Sequence, residues 1–148
     1  MNVDTNRVAA VAAPEVLVRM KLATLWTCLM FMYVYVDILS LYKPGTVEDI
    51  LVGKVWEFDI SQGWAFGALA LMTVPILMIY VSVTARAVTC SAMNVVVGVL
   101  YAIISIGSAL GEPWVYFFGF GALVEVALLV VVIRSALTWR GELRRRSL

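Results

Sequence analysis

The chain has 148 residues, 63% of them hydrophobic and 14% charged, with a net charge of +1 and no histidine. A soluble domain is roughly 45–50% apolar and 25% charged, so this composition indicates a protein whose surface faces lipid. The lack of histidine excludes Ser-His-Asp, Cys-His and His-zinc chemistry within one chain. Cys28 and Cys90 stand far apart without C-x-x-C spacing, which argues against a disulfide framework or redox centre. Each reads as a small buried apolar residue. No motif calls for a cofactor, a metal or nucleic acid.

Residues 1–13 are polar to alanine-rich and are expected to be mobile, with Pro14 suited to the first turn of a helix. Four apolar stretches follow: Leu22–Tyr42, Gly63–Val83, Ala92–Leu110 and Val115–Ile133. Each has about 20 residues, enough to cross a hydrocarbon core of roughly 30 Å at 1.5 Å per helical residue. Period-2 alternation is missing, so the spans are helices rather than barrel strands. The predicted fold is an all-α integral membrane protein: one four-transmembrane-helix bundle over residues 1–148, with a basic tail at 134–148. The first span is of crossing length and reads as an uncleaved anchor.

In the first span Met30, Tyr33, Asp37 and Ser40 share a stripe, and the Tyr33 hydroxyl is expected to reach towards Asp37. Asp37 is close to the span's end, where a carboxylate can snorkel to water. In the loop Lys43–Gln62, Pro44-Gly45 makes a turn, Thr46 with Asp49 resembles a capping box, and Gly53 is placed as a helix stop. Val47, Ile50 and Leu51 then lie on one face of a short extracytoplasmic interfacial helix between the first two spans, with Trp56 and Phe58 as anchors. Glu57 and Asp59 are two carboxylates without a histidine, a thin basis for acid/base or metal chemistry; a solvated loop is the simpler reading.

The second span aligns Leu69, Thr73, Ile76 and Tyr80, with Pro75 expected to kink it. The third carries a polar stripe of Ser91, Asn94, Gly98, Tyr101, Ser105 and Ser108. Gly111-Glu112-Pro113 is so short that the third and fourth spans must be antiparallel neighbours. Glu125 sits near the middle of the fourth, where a charged acid costs roughly 2.5–3.5 kcal/mol on insertion scales and should face protein or water. Gly121 and Ala122 leave room one turn away. Matching depths brings both intramembrane acids, Glu125 and Asp37, to one polar core with Tyr33, Ser40, Thr73, Tyr80, Asn94, Tyr101, Ser105 and Ser108. Gly63 with Gly67, Gly98 with Ala102, and Gly119 with Ala122 are candidate sites of close helix approach. The five tryptophans fall near span ends, as an aromatic belt requires. An echo between residues 64–69, WAFGAL, and 120–123, FGAL, leaves a duplicated hairpin open.

Arg7, Arg19, Lys21, Arg86, Arg134, Arg140, Arg144, Arg145 and Arg146 lie on one side of the predicted spans, and only Lys43 and Lys54 on the other. The positive-inside rule then puts both termini in the cytoplasm and an acidic loop surface outside.

Three functions fit. A protonatable Glu125 on a permeation path makes a small proton- or cation-linked transporter or channel, with Asp37 as an outer waypoint and the tyrosine rings able to hold a cation. A protonated Glu125 that merely hydrogen-bonds a neighbour makes a packing or accessory membrane subunit. A membrane-embedded enzyme acting on a lipid or quinone is the third. Four short spans enclose little space, which favours a homo-oligomer, a dimer first.

The run VDILSLYKPGTVEDILVGKVWEFDISQ, a following span containing Val74-Pro75, and an arginine near Asn94 resemble a family of small bacterial four-span membrane proteins classed as a domain of unknown function. The resemblance covers about Leu22 to Trp139. It implies a bacterial inner-membrane protein with no established activity, and its motif contributes Asp37 and Ser40 as residues of interest. Small multidrug transporters share the four-span plan, but their acid lies in the first span amid different sequence, so that comparison is analogy.

Overall fold

The computed structural model describes the backbone of residues 3–56 and 58–146, and the side chains of 14–56 and 58–145. In chain order the elements are α1 (Val3–Ser40), α2 (Thr46–Leu51), β1 (Lys54–Val55), β2 (Phe58–Asp59), α3 (Gln62–Thr84), α4 (Ala87–Ala109) and α5 (Val115–Arg146). Four helices are long and apolar enough to cross a membrane: α1 from Pro14, α3, α4 and α5. The protein is therefore a multi-pass membrane protein whose outward faces meet a lipid bilayer.

Helix α5 packs most extensively on α4 and then on α1, which also covers α3; α3 and α4 share few backbone approaches. The core is built from a helical stripe on α1, Leu22, Trp26, Leu29 and Tyr33, against Met78 of α3, Cys90 and Tyr101 of α4, and Leu129, Val132, Ala136 and Trp139 of α5. Trp26 is fully buried and Trp139 nearly so, which corrects the belt position expected for them; Trp56, Trp64 and Trp114 are exposed. A tryptophan's depth along a span does not say which way it faces, and the α1 stripe turns Trp26 inward. Cys90 is buried as expected, whereas Cys28 is exposed on the outer surface of α1.

The chain reverses between α3 and α4 through Ala85 and Arg86, both extended. Arg19 of α1 closes this corner: its Nη1 donates to the carbonyls of Ala85 at 2.7 Å, Val83 at 3.2 Å and Ser82 at 3.4 Å. These are carbonyls that the end of α3 leaves without intrahelical partners. The same guanidinium pairs with Glu15 at 2.9 Å and lies 5.2 Å from the Trp139 ring centroid. The amino-terminal half of α1 and the carboxy-terminal half of α5 thus share one end of the bundle, the terminal end.

At the opposite end, Lys43 pairs with Glu112 at 2.9 Å and lies 5.7 Å from the Phe118 ring centroid, tying the end of α1 to the α4–α5 connection. Helix α2 has no buried residue, so Val47, Ile50 and Leu51 are open to a membrane surface. The expected capping box does not form. Gly45, at φ 89°, is the N-cap without a side-chain bond, which makes Thr46 the first helical residue and puts its hydroxyl out of position. Gly53, at φ 83°, does follow the helix as its stop. β1 and β2 pair Lys54 with Asp59 and Val55 with Phe58, a small hairpin the sequence pattern did not announce. Trp56 follows β1 at φ 54°, the left-handed conformation that tight hairpin turns demand.

Candidate functional site

Glu125 projects from the amino-terminal half of α5 into the bundle and is 5% exposed. Ser105 of α4, itself buried, lies within side-chain hydrogen-bond reach of the Glu125 carboxyl. The Ser105 hydroxyl also sits 3.2 Å from the Tyr33 hydroxyl of α1, and either oxygen can donate. Three helices therefore converge on one carboxyl through two hydroxyls. The bond from Tyr33 goes to Ser105, which corrects the expected reach towards Asp37. Side chains on a helix lean towards its amino terminus, and here that direction carries the phenol across to α4.

Asp37 is exposed on α1, next in sequence to Val36, which approaches α5 near Glu125. The room left at Gly121, one turn before Glu125, is taken by α1: a Cβ there would meet Val36 Cγ2 at 3.0 Å and Glu125 Oε1 at 3.9 Å. Further along the same face Phe118 is buried, and it packs on Phe117 with ring centroids 5.0 Å apart. Beyond it stands the Lys43–Glu112 pair.

A second polar cluster lies nearer the terminal end. Asn94 Oδ1 accepts from Trp26 Nε1 at 2.7 Å, while Asn94 Nδ2 donates to the Cys90 carbonyl at 2.9 Å and to Ser82 Oγ at 3.3 Å. Ser82 Oγ donates to Met78 O at 2.7 Å. Among the described residues every buried side-chain nitrogen and oxygen has a partner. This cluster is structural glue joining α1, α3 and α4.

Tyr101 stands between the clusters, with its ring centroid 6.3 Å from Trp26 and 6.4 Å from Tyr33. Its hydroxyl donates to the Leu71 carbonyl of α3. Leu71 is four residues before Pro75, which has no N–H to give it. The tyrosine of one helix thereby repairs the hydrogen bond that a proline removes from its neighbour, a role the sequence reading missed although Pro75 signalled it.

The single polar core expected from depth matching therefore resolves into these two clusters and a periphery. The second-span stripe faces outward: Leu69 is 66%, Ile76 49% and Tyr80 67% exposed. Thr73 Oγ1 bonds back to the Leu69 carbonyl at 2.8 Å. Helix α3 is apolar on every side, so its hydroxyls do not mark an inner face; the buried residues are Pro75, Met78 and Ser82. Ser40 donates to the Asp37 carbonyl and the exposed Ser108 to the Ser105 carbonyl, so neither hydroxyl enters the core. Local backbone acceptors are available to serine at every depth, and near a helix end they win. Ser91 donates to Ala136 O at 2.7 Å, joining α4 to α5. Asp59 is exposed on β2, Glu57 lies outside the described residues, and no three Cys, Asp or Glu side chains group as metal ligands among the described residues.

Neither a curated protein nor a solved structure matches the chain. A family model does, and it spans nearly all of the bundle just described, from the amino-terminal part of α1 to the tail of α5. With residues 16–144 matched, the chain belongs to DUF6326, a family of unknown function.

Proposed function

We propose that this protein is a small proton- or cation-linked transporter or channel of the bacterial cytoplasmic membrane, with Glu125 as its protonatable group. The observation that carries this reading is the position of the acid: buried Glu125 adjoins the Ser105–Tyr33 hydroxyl pair, while exposed Asp37 follows Val36, which packs on Gly121 one turn before Glu125. A carboxylate accepts from Ser105 while Tyr33 donates to Ser105; a protonated Glu125 reverses both bonds. Such a chain can take up or release a proton without breaking the packing around it. Nine of the eleven Lys and Arg residues lie on the side of the termini, which supports cytoplasmic termini with Asp37 towards the outer surface. Four spans enclose little space, which supports a homo-oligomer, a dimer first.

A second reading, a non-catalytic accessory subunit, is favoured by the near-complete burial of Glu125 beside the Ser105 hydroxyl. The two separate in liposomes carrying wild type, Glu125→Gln or Asp37→Asn, with proton flux followed across an imposed pH gradient with and without added cations. Transport predicts wild-type flux above protein-free vesicles, its loss in Glu125→Gln and a slower rate in Asp37→Asn. Background flux in all three sinks transport and leaves the subunit reading.

A further inference from the structure

At the terminal end an open groove of about 260 Å³ runs between α1 and α5, lined by Val18 and Lys21 on one side and Arg134, Ser135, Thr138, Trp139 and Glu142 on the other. Three features make it unlike an ordinary solvated helix face. First, among the described residues Lys21, Arg134 and Glu142 have no ion-pair partner, although all three line one groove. Arg134 and Glu142 are eight residues apart on α5, about 12 Å along its axis at 1.5 Å per residue, so acid and base are kept apart.

Second, the hydroxyls of Thr27, Thr73, Ser82 and Thr84 all bond back to the carbonyl four residues earlier. Ser135 and Thr138 make no such bond, which leaves both hydroxyls to the groove. Third, the groove begins where the apolar run of α5 ends. One turn towards the bilayer centre from Arg134, Val130 is 44% and Val131 39% exposed, a surface for acyl chains; Trp139 walls the polar part.

Charge therefore changes along the groove with depth: cations and hydroxyls next to the hydrocarbon, a carboxylate further out. We propose that this groove binds an ethanolamine phospholipid. Its phosphate accepts from Lys21, Arg134 and the Ser135 and Thr138 hydroxyls, and its ammonium pairs with Glu142. The order matches a glycerophospholipid, in which the phosphate lies inside the amine. An anionic headgroup such as glycerol phosphate would satisfy the cations and leave Glu142 without a counter-charge. The site stands apart from Glu125 and from any transport activity.

The test is native mass spectrometry of the full chain in detergent, titrated with phosphatidylethanolamine, phosphatidylglycerol and inorganic phosphate, with thermal unfolding of each variant as the control for folding. Phosphatidylethanolamine is expected to be retained over phosphatidylglycerol, and inorganic phosphate not at all. The Arg134→Gln variant should weaken retention roughly tenfold, as loss of a charge-assisted contact predicts, and Thr138→Val should weaken it less. Glu142→Gln should weaken phosphatidylethanolamine while improving phosphatidylglycerol. Equal retention by all variants overturns the site. Phosphatidylglycerol bound as well as phosphatidylethanolamine by the wild type, or inorganic phosphate bound alone, overturns the ethanolamine assignment.

Discussion

Pro75 strands the Leu71 carbonyl, and Tyr101 of the facing helix takes it up. Tyr101→Phe is expected to cost about 1 kcal/mol, more than the roughly 0.6 of an average intramembrane bond, because the carbonyl then has no donor. Pro75→Ala returns an N–H to that carbonyl, so adding Tyr101→Phe to Pro75→Ala should cost markedly less. Thermal unfolding of the four proteins in detergent checks this; strictly additive effects would mean that the hydroxyl does not serve the carbonyl. At this scale the sequence was partly legible. Spacings of three and four on α4 singled out Asn94, Tyr101 and Ser105, all of them buried. Position near a span end makes Trp26 a belt residue by pattern, yet its N–H is held in the core by Asn94 at 2.7 Å. The partner is 68 positions away in the chain, and no local pattern links the two.

Among the elements, α3 and α4 show the limits of small-residue motifs. Gly63 and Gly67 have the spacing of a close helix contact, yet a Cβ at Gly67 would meet nothing within 4 Å. At Gly98 a Cβ would come within 2.9 Å of Ile133 Cγ1 on α5, so this glycine is where α4 and α5 approach. Gly98→Ala is expected to destabilise the bundle by about 1–3 kcal/mol through overpacking. Gly67→Ala should be neutral or stabilising by up to about 1 kcal/mol through helix propensity. Detergent unfolding midpoints that fall equally for both variants would contradict the packing described. The four long helices themselves were legible because apolar length alone specifies them. Their inner faces were not, because in lipid an apolar residue is acceptable on either side, and hydrophobic periodicity loses its force.

The whole molecule is clamped at both ends. Arg19 holds the end of α3 and stacks on Trp139 at one, and the Lys43–Glu112 pair, with side chains 22% and 12% exposed, closes the other. Lys43→Glu and Glu112→Lys should each lower the unfolding midpoint, and the double exchange should recover about 1 kcal/mol of coupling. A double variant no better than the sum of the singles would show that the pair contributes nothing. By itself the sequence determined a lipid-embedded bundle of four helices, the short helix between the first two, the segregation of Lys and Arg to the side of the termini, and an acid within the last span. Composition and length suffice for these, since hydrocarbon thickness and the cost of bare backbone in lipid leave few alternatives. Only the tertiary structure decided that Glu125 adjoins Ser105 and through it Tyr33, that Tyr101 serves a proline-broken helix, and that Thr73 and Tyr80 stay out of the core. Those outcomes depend on the rotation of each helix about its axis, which side-chain packing and hydrogen bonds across the bundle set, and which apolar length does not encode.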